Sequence, residues 1–454
     1  MHEKRNLKQP SMINLKLAEK FFIITISVAI FFSFFSKSVI DNEYLSNLLV
    51  VFISLMVVFL LIPAIIKNNT AKLLLFVFFC LRLFLLYLDY YGKDLFNVLH
   101  SGGDTERFYE YGLTISKDLS KMNEISYTIY SDFLGILYWI IGDQRFFSQF
   151  INVILGMWAI FVFYKILDLF RIRNSKKLFF LSLYGFYPQN IIFSSILLRE
   201  AFIQLFFIYS MFYFTQWLML KNKINVVKTI FFVLLSSLFH SGMIFSLLVY
   251  GFMFFFVDLK KYRFNYSFKR NIVFVFFCGL AIAIVIYNLS LLDEKFLFLL
   301  SEENLSLIEE YRSNSGVEAG GASYLQNYKL NSVGDLITLI PLRLIYLVFS
   351  PMPFDIRGAN DLVAILLDST FYYFLIYTII KYRKIIRGNV FRIFPKIFFI
   401  LFLIVSIAFA IGTENSGTAM RHRTKIFPVL IMVVIFIESI KQNRISIWND
   451  KKID

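Results

Sequence analysis

The stretch SGGDTERFYEYG (101–112) places Asp104 and Glu106 one residue apart, behind a glycine pair and ahead of Tyr109 and Tyr111. A carboxylate so placed can act as a general base on a hydroxyl group. The two acids together can hold a divalent cation through oxygen ligands. The tyrosines offer aromatic faces with hydroxyls, which suit a sugar ring. The plainer alternative is a helix start, since Asp104-Thr105-Glu106 has the composition of a first helical turn.

Cations gather elsewhere. GTENSGTAMRHRTKIFPVL (412–430) carries Arg421, His422, Arg423 and Lys425 within five positions. Guanidinium groups recognise phosphate oxygens in a bidentate fashion, so this cluster is a candidate seat for a lipid phosphate. The alternative is an anchor for the last helix. YPQNIIFSSILLREAFIQ (187–204) sets Arg199 beside Glu200, where a charge is costly unless used or paired; a capping pair is the plain reading. Arg312, Arg343 and Arg357 in 309–358 are further phosphate candidates. His240 and His422 join Tyr109 and Tyr111 as candidate sugar contacts. Arg82, Lys165, Asp168 and Glu438 also lie in apolar runs, and Lys165 and Asp168 are spaced for a local helical pair.

These residues have to be positioned by a very apolar chain. Of 454 residues, 58% are hydrophobic, 19% aromatic and only 17% charged, with mean hydropathy +0.67. The apolar runs approach the length of about 20 residues that spans a bilayer as a helix. An all-α polytopic membrane protein follows, and alternating barrel strands are excluded. The runs fall at 21–40, 45–66, 73–92, 146–170, 178–198, 201–220, 229–257, 271–292, 361–380, 388–411 and 426–440. The first is too long for a cleaved signal peptide and reads as a retained helix.

Most of the 46 Lys and Arg residues cluster between these runs on one side, which marks that side as cytoplasmic. The net charge of +15 is thereby spent on orientation, and no nucleic-acid partner is called for. The pattern holds if 229–257 is two helices broken near His240-Ser241-Gly242. That predicts about 12 spans with both termini in the cytoplasm.

The resulting divisions are 1–92, a first outer loop 93–145, central helices 146–292, a large outer loop 293–360, and C-terminal helices 361–454. The apolar part of the large loop, 336–354, is expected to lie along the membrane surface or re-enter it. Cys80 and Cys278 sit in apolar runs and imply neither disulfide nor metal. Nucleotide and metal-ligand motifs are missing from the sequence.

GGDTERFYEYG, then ISYTIYSDFLGILYWIIGD (125–143), YPQNIIFSSILLREAF and RHRTKIFPVL occur in an order that resembles the GT-C glycosyltransferases. That superfamily includes the protein O-mannosyltransferases and the lipid A aminoarabinose transferases. Its acid pair is usually adjacent, whereas Thr105 intervenes here. The resemblance implies a GT-C-like fold in a bacterial cytoplasmic membrane and a polyprenyl-phosphate-linked sugar donor. It also implies a glycan or lipid acceptor and inversion at the anomeric carbon. Asp104 would act on the acceptor hydroxyl, with Glu106 and Glu200 as further acids. Arg421 and Arg423, with Lys425 and Arg199, would hold the donor phosphate. A divalent metal is left open, because members differ.

The chain also resembles the Wzy-type polymerases of O-antigen and capsule, which use outer-loop arginines to hold an undecaprenyl-diphosphate oligosaccharide. A lipid-linked oligosaccharide flippase is the non-enzyme alternative; it would call for two related halves, which the sequence lacks.

Overall fold

A computed structural model describes residues 15–39, 42–95, 97–122, 128–170, 172–267, 271–272, 274–275, 324–325, 333–354, 356, 358–387, 390–413 and 415–442. The chain is mostly helical, and among the described residues six helices are long and apolar enough to cross a membrane. It divides into two compact units. The first comprises Met1–Phe186 and Ile191–Leu205, the second Tyr187–Asn190 and Phe206–Asp454.

In the first unit, helices α1 (Leu15–Val39), α2 (Glu43–Ile65) and α3 (Asn69–Tyr91) come first. Asn42 and Asn68 cap α2 and α3 by accepting the backbone N–H groups of Leu45 and Ala71, satisfying donors that a helix start leaves open. Helices α4 (Asp104–Lys117) and α5 (Ile129–Ile141) follow within the expected first outer loop. They pack closely through glycines. A Cβ on Gly135 would collide with Ile115 Cγ2, and one on Gly112 would stand 2.8 Å from Leu134 Cβ.

Helix α6 (Arg145–Leu169) is apolar over most of its surface and almost wholly buried, as expected of a helix at the centre of a bundle. It packs on α1, α3 and α7 (Asn174–Gly185).

The expected span 178–198 is not one helix. Helix α7 stops at Gly185, and Pro188, which has no N–H to continue the ladder, opens the short α8 (Pro188–Phe193). Residues 194–199 are irregular, and α9 (Glu200–Leu220) then begins.

The second unit continues with α10 (Ile224–Phe239) and α11 (Phe245–Phe256). The break between them falls at His240, which is extended and leads into a short 3-10 turn, Ser241–Ile244. The division of 229–257 into two helices is therefore present. A two-residue hairpin pairs Val257–Asp258 with Arg263–Phe264.

Helix α12 (Val333–Phe349) follows. It packs against α16 (Ile393–Ile411) and α17 (Ser416–Lys441) and buries Arg343, Leu347 and Val348. The expected peripheral segment 336–354 thus has one face in the interior of this unit. Between α12 and α16 lie α13 (Ala359–Ala364), a π turn at Ile365–Ser369, α14 (Thr370–Lys381) and α15 (Arg383–Arg387).

Helix α17 is the buried centre of this unit. The expected loop 412–425 is helical from Ser416, because Asn415 caps it by accepting Thr418 N–H at 2.7 Å. Most of the expected span 271–292 and of the large loop, with Arg312 and Arg357, lies outside the described residues.

Candidate functional site

In the first unit the acidic motif builds the start of α4. Gly102 and Gly103 have φ of +95° and +50°, a left-handed path that glycine adopts without steric cost. Thr105 Oγ1 accepts the Gly102 N–H at 2.9 Å. Asp104 is the half-buried first residue of the helix, where the macrodipole favours a negative charge.

Glu106 is committed to cations. Arg145 donates to both of its carboxylate oxygens, one contact being 2.8 Å, and Lys93 Nζ lies 3.1 Å from Oε1. Those hydrogen bonds, Arg145 first, lower the Glu106 carboxyl from its ordinary 4.5 to about 2 despite partial burial. The pair Asp104/Glu106 therefore does not fit a divalent cation. Among the described residues no three His, Cys, Asp or Glu side chains gather into a metal site.

A lowered carboxyl stabilises the fold above its unfolded value, and the benefit is lost as pH falls through the folded one. Glu106→Gln should therefore flatten the acid limb of a melting-temperature profile between about pH 4.5 and pH 2. The side chain is 38% exposed, so solvent screening keeps the effect within about 1 kcal/mol.

Tyr109 and Tyr111 do not form one aromatic face. Two positions apart on a helix, side chains diverge by about 200°. The Tyr109 hydroxyl donates to Asp143 at 2.7 and 2.8 Å, and the Arg145 guanidinium stands 5.1 Å from its ring centroid. Burial, reinforced by Asp143, raises the Tyr109 phenol above its usual range. Tyr111 is half-buried.

Glu200 is fully buried as the first residue of α9, and the Arg199 guanidinium lies 5.9 Å from the Phe108 ring. Nearby carbonyls of the irregular segment are held by Asn152, whose amide donates to Ile196 O and Leu198 O at 2.8 Å each.

In the second unit, helix phase separates the cations expected to act together. Arg421, His422 and Lys425 lie within an arc of about 100° on α17, whereas Arg423 points to the other side. Arg423 is fully buried. Its Nη2 lies 2.5 Å from Asp368 Oδ2, and its Nη1 donates to Val348 O at 2.9 Å. The Tyr187 hydroxyl donates to Asp368, and the Tyr372 hydroxyl donates to Arg423 O at 2.6 Å. The Tyr187 ring stacks on Phe427 at 3.9 Å. Arg423 is thus the partner of a buried carboxylate, not a headgroup ligand.

Arg343 is also corrected. It is buried and donates to Ile411 O at 2.7 Å, which places a cation on the last carbonyls of α16.

The remaining cations converge with the histidines. His422 stacks on Phe409 with centroids 4.5 Å apart, and His240 meets it edge-on at 5.1 Å. Lys425 Nζ lies 3.3 Å from His422 Nδ1 and 5.5 Å from the Phe409 centroid. His240 Nδ1 accepts the Gly242 N–H at 3.2 Å. An ammonium and a backbone amide only donate, so both Nδ1 atoms act as acceptors. In the neutral rings the proton then resides on Nε2. Two imidazole N–H donors and an ammonium come from two elements, the break after α10 and α17, and pack against Phe409 of α16. Gly242 is needed there, since its Cβ would stand 2.6 Å from the Phe409 ring.

Sequence reasoning missed Asp368, Tyr187, Arg145 and Asp143. The signal for Asp368 was present as a lone carboxylate in LVAILLDSTFYYFLIY, since an acid inside an apolar helix requires a partner. Compared with known proteins, the chain matches no family model, no curated protein and no solved structure.

Proposed function

We propose that this protein transfers a glycosyl group from a polyprenyl-phosphate-linked donor to a cell-surface glycan or lipid, at the outer face of a bacterial cytoplasmic membrane. The observation that supports it is the donor-rich cluster of His240, His422 and Lys425, with Arg421 on the same face of α17. Phosphate oxygens only accept, and charge-assisted hydrogen bonds to them are strong.

In the reaction the acceptor hydroxyl oxygen attacks the anomeric carbon. The bond from that carbon to the phosphate oxygen breaks, and the lipid phosphate departs with the electron pair. The cluster stabilises the charge that develops there. The hydroxyl proton passes to a general base, the role that the resemblance to GT-C enzymes assigns to Asp104. The basic clusters between the apolar runs support cytoplasmic termini.

Polymerisation of diphosphate-linked repeat units is the second reading. It is favoured by the engagement of Glu106 with Arg145 and Lys93, which reduces the acidic motif to Asp104 and leaves the cationic cluster as the stronger feature.

The test supplies the purified full chain with a polyprenyl-monophosphate sugar or a polyprenyl-diphosphate oligosaccharide and follows both product and released lipid. Asp104→Asn should lower single-sugar transfer by about 10²–10⁴-fold, the usual contribution of a general base. Polymerisation that survives Asp104→Asn selects the second reading. Failure to release lipid from either donor rejects both.

A further inference from the structure

Helices α3 and α6 bury a group of oxygens that the transfer reaction does not use. Asp89 on α3 is 1% exposed, and Gln149 and Asn152 on α6 are fully buried. Three positions apart, Gln149 and Asn152 share a helix face. Gln149 Nε2 donates to Asp89 Oδ2 at 2.5 Å. Asn152 Nδ2 is turned to Ile196 O and Leu198 O, with the Tyr130 hydroxyl oxygen 3.2 Å away.

These bonds fix which way both amides face, since only the nitrogen end can donate. What remains is Asp89 Oδ1, Gln149 Oε1 and Asn152 Oδ1, all buried and none with a hydrogen-bond partner among the described residues. All three are acceptors. A further acceptor cannot satisfy them; a cation can. The neighbouring arginines are each partly engaged elsewhere, with Arg82 Nη2 and Arg145 Nε left without a partner among the described residues. Arg145, whose charge acts on Asp89, is paired with Glu106. Arg82, two helical turns before Asp89, donates to Ser194 Oγ and Phe78 O.

We propose that Asp89, Gln149 and Asn152 form a site for a small monovalent cation of the sodium or potassium class. Oxygen ligands suit a hard cation, and the single carboxylate supplies one negative charge, which matches a monovalent ion. The irregular segment 194–199 beside the site resembles in kind the unwound backbone that borders cation sites within membranes. This inference goes beyond the transferase reading and does not depend on it.

The test is thermal unfolding of the full chain in lipid nanodiscs, in sodium, potassium or choline chloride at equal ionic strength. Sodium or potassium should raise the midpoint over choline by about 2–5 °C in a saturable manner. Asp89→Asn keeps the shape and the Gln149 bond, and should abolish that difference. In the unmodified protein, radioactive sodium or rubidium should bind saturably and resist displacement by choline. Equal midpoints in all three salts with no saturable binding, or a cation effect retained in Asp89→Asn, overturns the proposal.

Discussion

Arg423→Ala should destabilise the protein by about 3–5 kcal/mol, because it strands the buried Asp368 carboxylate without its counter-charge. The loss would be read as a fall in the melting midpoint of the purified chain in nanodiscs. Arg423 and Asp368 are both completely buried and 2.5 Å apart, so solvent cannot compensate. The second hydrogen bond of the guanidinium, to Val348 O, would go as well.

A paired replacement separates charge from packing. Arg423→Met with Asp368→Leu removes both charges and should recover most of the stability, as buried pairs generally do when replaced by apolar groups of similar volume. A phosphate ligand would behave otherwise. If Arg423→Ala melts like the parent protein but no longer binds the lipid-linked donor, the guanidinium serves the ligand, and its assignment to the core is wrong.

Lys425→Gln should lower donor turnover by about 10²–10³-fold, the scale of one preorganised donor to a developing oxyanion. The amide retains most of the side chain's length and its contact surface with Phe409, so the melting midpoint should stay close to that of the parent. Loss of turnover with an intact midpoint assigns Lys425 to the departing phosphate. His422→Ala should reproduce the defect, since Lys425 Nζ is held 3.3 Å from His422 Nδ1. A Lys425→Gln protein with unchanged turnover would remove the cluster from the reaction.

The contrast between Arg423 and Lys425 also shows what the sequence could convey. Both belong to RHRTK, and charge type alone made them equivalent. Their separation follows from helix phase, which became readable only once Asn415 was known to start α17 ahead of them. The partner of Arg423 lies 55 positions earlier by subtraction of their residue numbers, and no local pattern announces a contact over that distance.

The helix break at His240 was legible because basic loops on both sides of one apolar run cannot be reconciled with a single crossing. The break at Pro188 was not, because hydropathy averages side-chain character and is blind to backbone hydrogen bonding. IIFSSILL is as apolar as a spanning helix while its backbone follows an irregular path from Ser194 onward. The start of α4 at Asp104 was within reach of its composition. The capture of Glu106 by Arg145 depends on how α4 meets α6.

The irregular segment between α8 and α9 has a consequence for biosynthesis. Lipid cannot donate hydrogen bonds to carbonyls, so irregular backbone of this kind is tolerated in a bilayer only against protein. The side-chain donor is Asn152, which leaves the ribosome more than forty residues earlier, while Ile196 O also accepts the Leu198 N–H at 2.9 Å. Vectorial synthesis therefore delivers α6 before the segment that needs it. A circular permutant that translates 186–220 ahead of α6 would present the membrane-insertion machinery with a segment whose Leu198 carbonyl still lacks the Asn152 amide.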